Sequence, residues 1–349
     1  MAYTGIDKPS DYFNTKLYTG TGSSNAVTGV GFQPDWIWIK NRGRAEDHAI
    51  FDVVRGASNG YYGKIRSNDT SAQEFDSNGM SAIGSDGFTV IDQDQVNRSN
   101  DTYASWNWKA GTSFTNDASS TGVGTIDSAG SVNQDAGFSI CTYTGTGSAG
   151  TIKHGLNQKP TFWMTKASEA RAWYGWHQGF ALGDVVNFNS TNAATTDTSL
   201  FSTTAPTSSV YNVGTSVGTN KNTITFVNYL FHEVAGYSKF GTYTANGNAD
   251  GPFVYTGFKP AWVLCKKSSA TGDWELYDNK RNGFNGGNVK VISNANDAET
   301  GVGRLSLLSN GFKITTSSGN LNTNNADYIY LAFAESPFVT STGIPTPAR

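Results

Sequence analysis

The chain has 349 residues, of which 15% are charged, 13% are aromatic and 40 are glycine, and its net charge is −3. Scarce helix-forming residues and abundant Gly, Ser, Thr and Asn predict an all-β protein with many turns. The lack of a basic stripe excludes nucleic acid as an expected partner, and no apolar run is long enough for membrane insertion. The first residues lack the basic and apolar regions of a signal peptide, so we expect synthesis in a cytoplasm.

The first predicted strands surround a glycine-rich turn. Residues 13–18 alternate as a half-buried strand does, and the Thr-Gly-Thr-Gly after Tyr18 is typical of a tight turn. Pro34 precedes an apolar run at residues 36–40, which predicts a buried strand that begins at the proline. An aromatic, Asp, two residues and Arg at 51–55 then predict an ion pair or an Asx turn that braces a corner.

The last strand of this module carries an aromatic triplet. Trp106 and Trp108 are two residues apart and share one face, whereas Tyr103 points to the other face. We therefore expect this strand to be central in its sheet, with both faces covered.

The same landmarks recur twice more at nearly constant offsets. The recurring positions are Tyr18, Tyr143 and Tyr243; Trp36, Phe162 and Trp262; Lys40, Lys166 and Lys266; and Trp108, Phe231 and Phe333. This repetition predicts three tandem β-sandwich modules of about 100 residues, jelly-roll or lectin-like, with extended N- and C-terminal arms. The expected ranges are an arm at 1–11, modules at 12–111, 137–236 and 237–338, a linker at 112–136 and a tail at 339–349.

Several motifs associated with chemistry lack the context that they need. Residues 145–150 match a dinucleotide fingerprint without a following helix, and Ser58 and Ser216 lie in Gly-x-Ser-x-Gly matches without a nucleophile elbow. Residues 246–251 resemble the start of a calcium loop but lack its final Glu, which leaves a calcium site of another kind open. The four histidines are dispersed. We predict no catalytic residue, metal or cofactor.

The two cysteines and two glutamates have structural interpretations. Cys141 and Cys265 occupy non-equivalent repeat positions, which favours two buried thiols over a disulfide. Glu233 and Glu335 recur at one module position, just past the aromatic triplet. This recurrence argues for a structural role and against a pair of catalytic carboxylates in one unique active site.

One cluster in the second module departs from the repeat. The second module has Trp176-His177-Gln178-Gly179-Phe180 in place of the aromatic-Asp-x-x-Arg pattern, and Trp173, Tyr174, Trp176 and His177 form an aromatic cluster there. We predict that they form an exposed aromatic surface that binds sugar; the alternative is that these rings fill the core of the second module.

Longer stretches are similar to a known family. Residues 31–42, 51–56, 104–111, 236–241, 250–258 and 328–339 resemble a repeat domain common in marine bacteriophage proteins, especially those of cyanophages and pelagiphages. The resemblance implies a virion structural protein, often called tail-fibre-like, and supplies no catalytic residue.

These observations lead to one expected function and two alternatives. We expect a virion surface protein of the tail fibre or tip, a homo-oligomer that binds other virion proteins and a host receptor or glycan. A capsid decoration or tail-joining protein is the first alternative, since no coiled-coil heptads indicate a fibre shaft. An enzyme that degrades host polysaccharide is the remote alternative.

Overall fold

The structure is a computed structural model that describes residues 4–281, 289–301 and 303–346. Within these ranges the chain is all-β, and its helices are single turns: a 3-10 turn at Pro9–Asp11, α1 (Asp94–Asn97), α2 (Ala118–Thr121), α3 (Val217–Asn220) and α4 (Gly319–Asn322). None of the helices in the described ranges has the length or apolar character that crossing a membrane requires.

The strands fall into three units. Unit 1 contains β1 (Phe13–Thr19), β2 (Asn25–Thr28), β3 (Trp36–Asn41), β4 (Ala49–Asp52), β5 (Ala57–Ser58), β6 (Tyr61–Lys64), β7 (Glu74–Phe75), β8 (Met80–Gly84), β9 (Gly87–Val90) and β10 (Thr102–Trp108). Unit 2 contains β11 (Thr112–Asn116), β12 (Ser128–Asn133), β13 (Phe138–Thr144), β14 (Gly150–Lys153), β15 (Phe162–Ala167), β16 (Tyr174–His177), β17 (Asp184–Asn187), β18 (Thr195–Thr196), β19 (Val210–Val213) and β20 (Thr225–Phe231). Unit 3 contains β21 (Ser238–Thr244), β22 (Phe253–Tyr255), β23 (Phe258–Lys267), β24 (Trp274–Asp278), β25 (Val289–Ile292), β26 (Thr300–Gly301), β27 (Leu305–Leu308), β28 (Gly311–Ile314) and β29 (Asp327–Pro337).

Each unit has a main antiparallel sheet with the same strand order. The order is β1-β10-β3-β4 in unit 1, β13-β20-β15-β16 in unit 2 and β21-β29-β23-β24 in unit 3. The strand with the aromatic triplet is therefore central in every unit, as predicted. Trp106 and Trp108 enter one core and Tyr103 enters another on the opposite face, because successive residues of a strand alternate between faces.

A small sheet covers the outer face of each main sheet. The small sheets are β2-β9-β8, β14-β19 and β22-β28-β27. Their buried side chains join those of the main sheet in one outer core per unit, such as Val27 and Val90 with Ile37 in unit 1. Each unit is thus β-sandwich-like.

The inner faces of the three main sheets share a single central core. Trp36 stacks on Tyr229 at 4.7 Å between ring centroids, which joins units 1 and 2. Rings of Trp108 and Trp262 are 5.6 Å apart between units 1 and 3, and Phe231 and Phe333 are 5.7 Å apart between units 2 and 3. The units therefore surround one interior instead of standing in a row.

The repeated aromatic on β3, β15 and β23 has the same environment in all three units. Trp36 pairs with Trp108, Phe162 pairs with Phe231 and Trp262 pairs with Phe333, each on the central strand of its sheet. All six residues belong to the central core. The sequence repeat is thus a repeat in space.

The prediction of a linker at residues 112–136 is wrong. β11 and β12 lie there, and they extend the main sheet of unit 2 in the order β11-β12-β13. Their Ser, Thr and Gly content suits an edge hairpin as well as a connection, which is why composition alone gave the wrong answer. The module boundaries on either side stay predictions.

Both terminal arms bind the body of the same chain. Thr4 Oγ1 donates to the Ala235 carbonyl at 2.8 Å, and Ile6 is buried in the central core. The Ser341 backbone N–H donates to Asp7 Oδ1 at 2.6 Å. The arms are therefore held without a neighbouring subunit over the residues that the structure describes.

Candidate functional site

Three equivalent buried lysines connect the units in a ring. Lys40, Lys166 and Lys266 have fully buried side chains near the ends of β3, β15 and β23. Each Nζ donates to a carbonyl of its own unit and to one of another unit. The contacts between units are Lys40 to Asn296 O at 3.2 Å, Lys166 to Thr70 O at 3.2 Å, and Lys266 to Thr191 O at 2.9 Å. Unit 1 thus reaches unit 3, unit 2 reaches unit 1 and unit 3 reaches unit 2.

Burial changes the chemistry of these amines. It lowers the pKa of Lys40, Lys166 and Lys266 to about 8, against about 10.4 for an exposed lysine. The carbonyl oxygens satisfy the N–H groups of the ammonium, so each lysine acts as a cationic link between main chains. All three side chains are closed to solvent.

The same ring recurs one strand away. The ring nitrogens of His48, Trp173 and Trp274 occupy one repeat position and each reaches a main-chain carbonyl of another unit. The distances are 3.0 Å from His48 Nε2 to Ile292 O, 2.6 Å from Trp173 Nε1 to Arg66 O and 3.0 Å from Trp274 Nε1 to Asn187 O. The backbone N–H of each of the three also donates to an Asn side chain, respectively Asn68, Asn189 and Asn294. These contacts follow the direction of the lysine contacts.

The aromatic-Asp-x-x-Arg corners contain the predicted ion pairs. Asp52 binds Arg55 in unit 1, and Asp278 binds Arg281 in unit 3; both carboxylates are buried. Burial alone would raise the pKa of Asp278, but the Arg281 guanidinium holds it below its usual value. Each Asp also accepts a hydrogen bond across a junction, from Tyr229 Oη at 2.6 Å or from Trp106 Nε1 at 3.0 Å. These arginines are therefore structural.

The predicted aromatic surface of unit 2 is not on the surface. Trp173 is 0% exposed and lies in the central core, Trp176 is 4% exposed in the outer core of unit 2, and His177 is 0% exposed. Tyr174 is half-buried against the same outer core. The Nε1–H of each Trp donates to a main-chain carbonyl, that of Trp173 to Arg66 O and that of Trp176 to Ala181 O at 3.3 Å, as expected of buried indoles. The alternative, that these rings fill the core, describes their positions.

The Tyr-Thr-Gly turns are held by three asparagines that the sequence reasoning missed. Asn97, Asn220 and Asn322 end α1, α3 and α4 and are fully buried. Each Oδ1 accepts from the backbone N–H of Thr21, Thr146 or Asn246, at 3.0, 2.8 and 3.0 Å. Their constant spacing of six residues before Tyr103, Phe226 and Tyr328 was a usable signal. The turns are parts of the scaffold in all three units.

The motifs set aside in the sequence have structural roles or none. Asn246 is bound to Asn322, and Asp250 pairs with Lys313, so the partial calcium loop is occupied by protein contacts. Among the described residues, no group of three or more His, Cys, Asp or Glu side chains could hold a metal ion. Cys141 and Cys265 are free and buried, as favoured, and burial raises the pKa of Cys141 to about 12.

Three glutamates are bound by other side chains or by the main chain. Glu275 is buried and binds Lys290 at 2.7 Å and Arg304 at 2.9 Å. Glu233 accepts from the Phe240 backbone N–H at 2.8 Å, and Glu335 pairs with Lys259 at 2.6 Å. The two repeated glutamates thus stabilise local structure, Glu233 at β21 and Glu335 at β23.

One pair of aromatic side chains is exposed on the outer sheet of unit 3. Phe253 and Tyr255 are two residues apart on β22, the edge strand of its sheet, and are 47% and 55% exposed. Val254 between them is buried, so the two rings stand on the same outer face. Lys239 Nζ lies 5.7 Å from the centroid of the Tyr255 ring. This pair is the candidate binding surface, and the sequence analysis did not single it out.

Comparison with known proteins gives a family. The model described as "Domain of unknown function (DUF7483)" matches residues 8–337. The chain belongs to this family. No curated protein and no solved structure matches the sequence. One DUF7483 model spans all three units, from before β1 to the end of β29, which agrees with the closed ring and with the single central core.

Proposed function

We propose that the chain is a surface structural protein of a bacteriophage particle, placed at a tail fibre or tip, where it contacts a host receptor or glycan. The observation that carries the proposal is the closed ring of lysine–carbonyl hydrogen bonds, in which the buried lysines hold three units together as one structural body. A body built in this way is rigid and offers outer sheets and loops for contact. We further propose that each unit is a jelly-roll or lectin-like sandwich.

The proposal gives the chain a role in attachment. Several copies on one particle, as a homo-oligomer or in separate fibres, would add avidity to weak individual contacts. Its protein partners would be other tail proteins, and the particle itself would be its location.

Immunogold labelling of purified particles tests the location. We expect gold at the tail fibres or tip of particles whose genome encodes the chain, and we expect the purified protein to slow adsorption of these particles to host cells. Particles that carry no label, or adsorption that the protein does not change, would contradict the proposal.

The threefold repetition of the junctions favours one second candidate, a capsid decoration protein. Three similar units around a common core would match the symmetry of a local threefold position on a capsid. Gold spread over the capsid face, with none at the tail, is the outcome that this candidate predicts.

A further inference from the structure

The exposed aromatic pair of unit 3 has no counterpart in the other units. β22 pairs with β28 so that Phe253 is opposite Lys313 and Tyr255 is opposite Gly311. In unit 1 the same register places Ala26 and Thr28 beside the buried Val27. In unit 2 it places Thr151 and Lys153 beside the buried Ile152.

Comparison of the three units shows whether the fold itself needs aromatic side chains at these positions. Units 1 and 2 form the same small sheet with Ala26, Thr28, Thr151 and Lys153 at these positions. The fold therefore does not require aromatic rings there. Phe253 and Tyr255 keep about half of their surface in water, so they gain little from burial in this chain. A ligand that covers the rings is the simplest physical reason for them.

The size of the pair limits what it can bind. Half of two aromatic side chains is on the order of 200 Å², whereas a stable protein partner covers about 800 Å² on each side. Polar groups surround the rings: Lys239 lies over Tyr255, and Lys313 is opposite Phe253 and paired with Asp250. A pyranose ring matches this arrangement, because its C–H face can stack on an aromatic ring while its hydroxyls bond to charged groups at the edge.

We propose that Phe253 and Tyr255 form a carbohydrate-binding platform that takes consecutive pyranose rings of an oligosaccharide. Two residues along a strand span about 6.6 to 6.8 Å, which places the two ring faces within reach of neighbouring sugars of one chain. Lys239, Lys313 and Asp250 contribute hydrogen bonds to the sugar hydroxyls. This inference rests on the proposed attachment function and gives it a ligand class.

The experiment exchanges the pair for the residues of unit 1. The full-length variant Phe253→Ala/Tyr255→Thr and the wild-type protein are applied to an array of α- and β-linked hexose and N-acetylhexosamine oligosaccharides of up to six sugars. The control is Phe75→Ala, since Phe75 is a comparably exposed single aromatic on β7 of unit 1 (44%). Thermal unfolding of all three proteins checks that they fold.

We expect the wild-type protein and the Phe75→Ala control to bind the same oligosaccharides, and the double variant to lose about 10-fold or more in affinity with an unchanged melting temperature. The inference is overturned if the wild-type protein binds no saccharide of the array, or if the double variant binds as well as the wild type. It is also overturned if the substitutions instead dissociate a wild-type dimer in sedimentation, which would make the pair a contact between copies. Gold labelling of particles does not depend on these outcomes, so a failure here leaves the proposed location standing.

Discussion

Among the described residues, two of the three junctions between units contain a buried aspartate at the repeated corner, and the third has a histidine at that position. Asp52 accepts from Tyr229 between units 1 and 2, and Asp278 accepts from Trp106 between units 3 and 1. Between units 2 and 3, His177 pairs with Phe162 at the position where Asp52 pairs with Trp36 and Asp278 with Trp262. Burial lowers the pKa of His177 to about 3, with only a weak opposing effect from the Tyr330 backbone, so it is neutral.

The partner position changes together with the carboxylate. Leu331 of unit 3 replaces the aromatic donors Trp106 and Tyr229 at the middle of the triplet. A carboxylate and its donor can be lost together at small cost, whereas the loss of either one leaves a buried polar group without a partner. The lysine–carbonyl link is kept at all three junctions. The comparison therefore indicates that the lysines are the shared requirement and the Asp–aromatic contact is one of two solutions.

The largest expected difference comes from placing leucine at the two kinds of corner. Asp52→Leu should lower the free energy of unfolding by about 3–5 kcal/mol, because it leaves the buried Arg55 without its ion-pair partner and the Tyr229 hydroxyl without its acceptor. His177→Leu should lower it by about 1–2 kcal/mol, since it removes one hydrogen bond from the Gly179 N–H. Urea unfolding measures both. Equal losses would show that the two corners do not differ in this way.

The lysines should be equally important at every junction. Lys166→Met leaves the carbonyls of Thr70 and Arg171 without their donor and should cost about 2–4 kcal/mol of unfolding free energy. Lys266→Met, at the junction of units 3 and 2, should cost the same. The control Lys159→Met changes an exposed residue and should stay within about 0.5 kcal/mol. A loss confined to one of the two buried lysines would contradict a shared requirement.

Removal of a single hydroxyl tests the hydrogen bond across the polar junction. Tyr229→Phe should lower the unfolding free energy by about 1.5–3 kcal/mol, because the hydroxyl donates to the charged Asp52. The loss should shrink in an Asp52→Asn background, which a double-mutant cycle measures. Tyr61→Phe, on the half-buried β6, is the control. If Tyr229→Phe costs as much unfolding free energy in the Asp52→Asn background as in the wild type, the Tyr229–Asp52 hydrogen bond is not the cause of the loss.

The three buried lysines should contribute stability that rises with pH, whereas buried groups whose pKa is raised, such as Cys141 and Tyr229, contribute in the opposite direction. The pKa of Lys40, Lys166 and Lys266 is about 8 in the folded chain and about 10.4 in the unfolded chain. Between these values the three lysines bind more protons in the unfolded chain, so their contribution to the unfolding free energy increases with pH. Lys166→Met should reduce this slope by about 1 kcal/mol per pH unit, as urea titrations between pH 8 and 10 would detect. A slope that the substitution does not change would contradict the assignment.

The sequence predicted the parts of the fold that depend on local pattern. The alternation around Trp106 and Trp108 and the spacing of Asp52 and Arg55 each have a local cause, and both predictions are confirmed. The buried strand after Pro34 is also present, but it begins at Trp36 and not at the proline. The shared core was not predicted, because strands buried on both faces look the same whether the second face meets a small sheet or two other units.

The candidate site was harder to predict for a different reason. Trp173 was interpreted as exposed because it was considered as a departure from the repeat. Its alignment with Trp274, which begins β24 as Trp173 directly precedes β16, would have indicated a structural position. Contacts to main-chain carbonyls, such as those of Thr70 and Thr191, leave no trace in residue type. Phe253 and Tyr255 stand out once the three units are compared in register.

Native-state hydrogen exchange of the Lys166→Met protein tests most directly whether the three units form one cooperative body. Mass spectrometry of peptides from the central strands β10, β20 and β29 reports on one unit each. Our account predicts that protection falls by a similar factor in all three strands, since the broken link belongs to a closed ring around a common core. Loss of protection in β20 alone, with β10 and β29 unchanged, would contradict it.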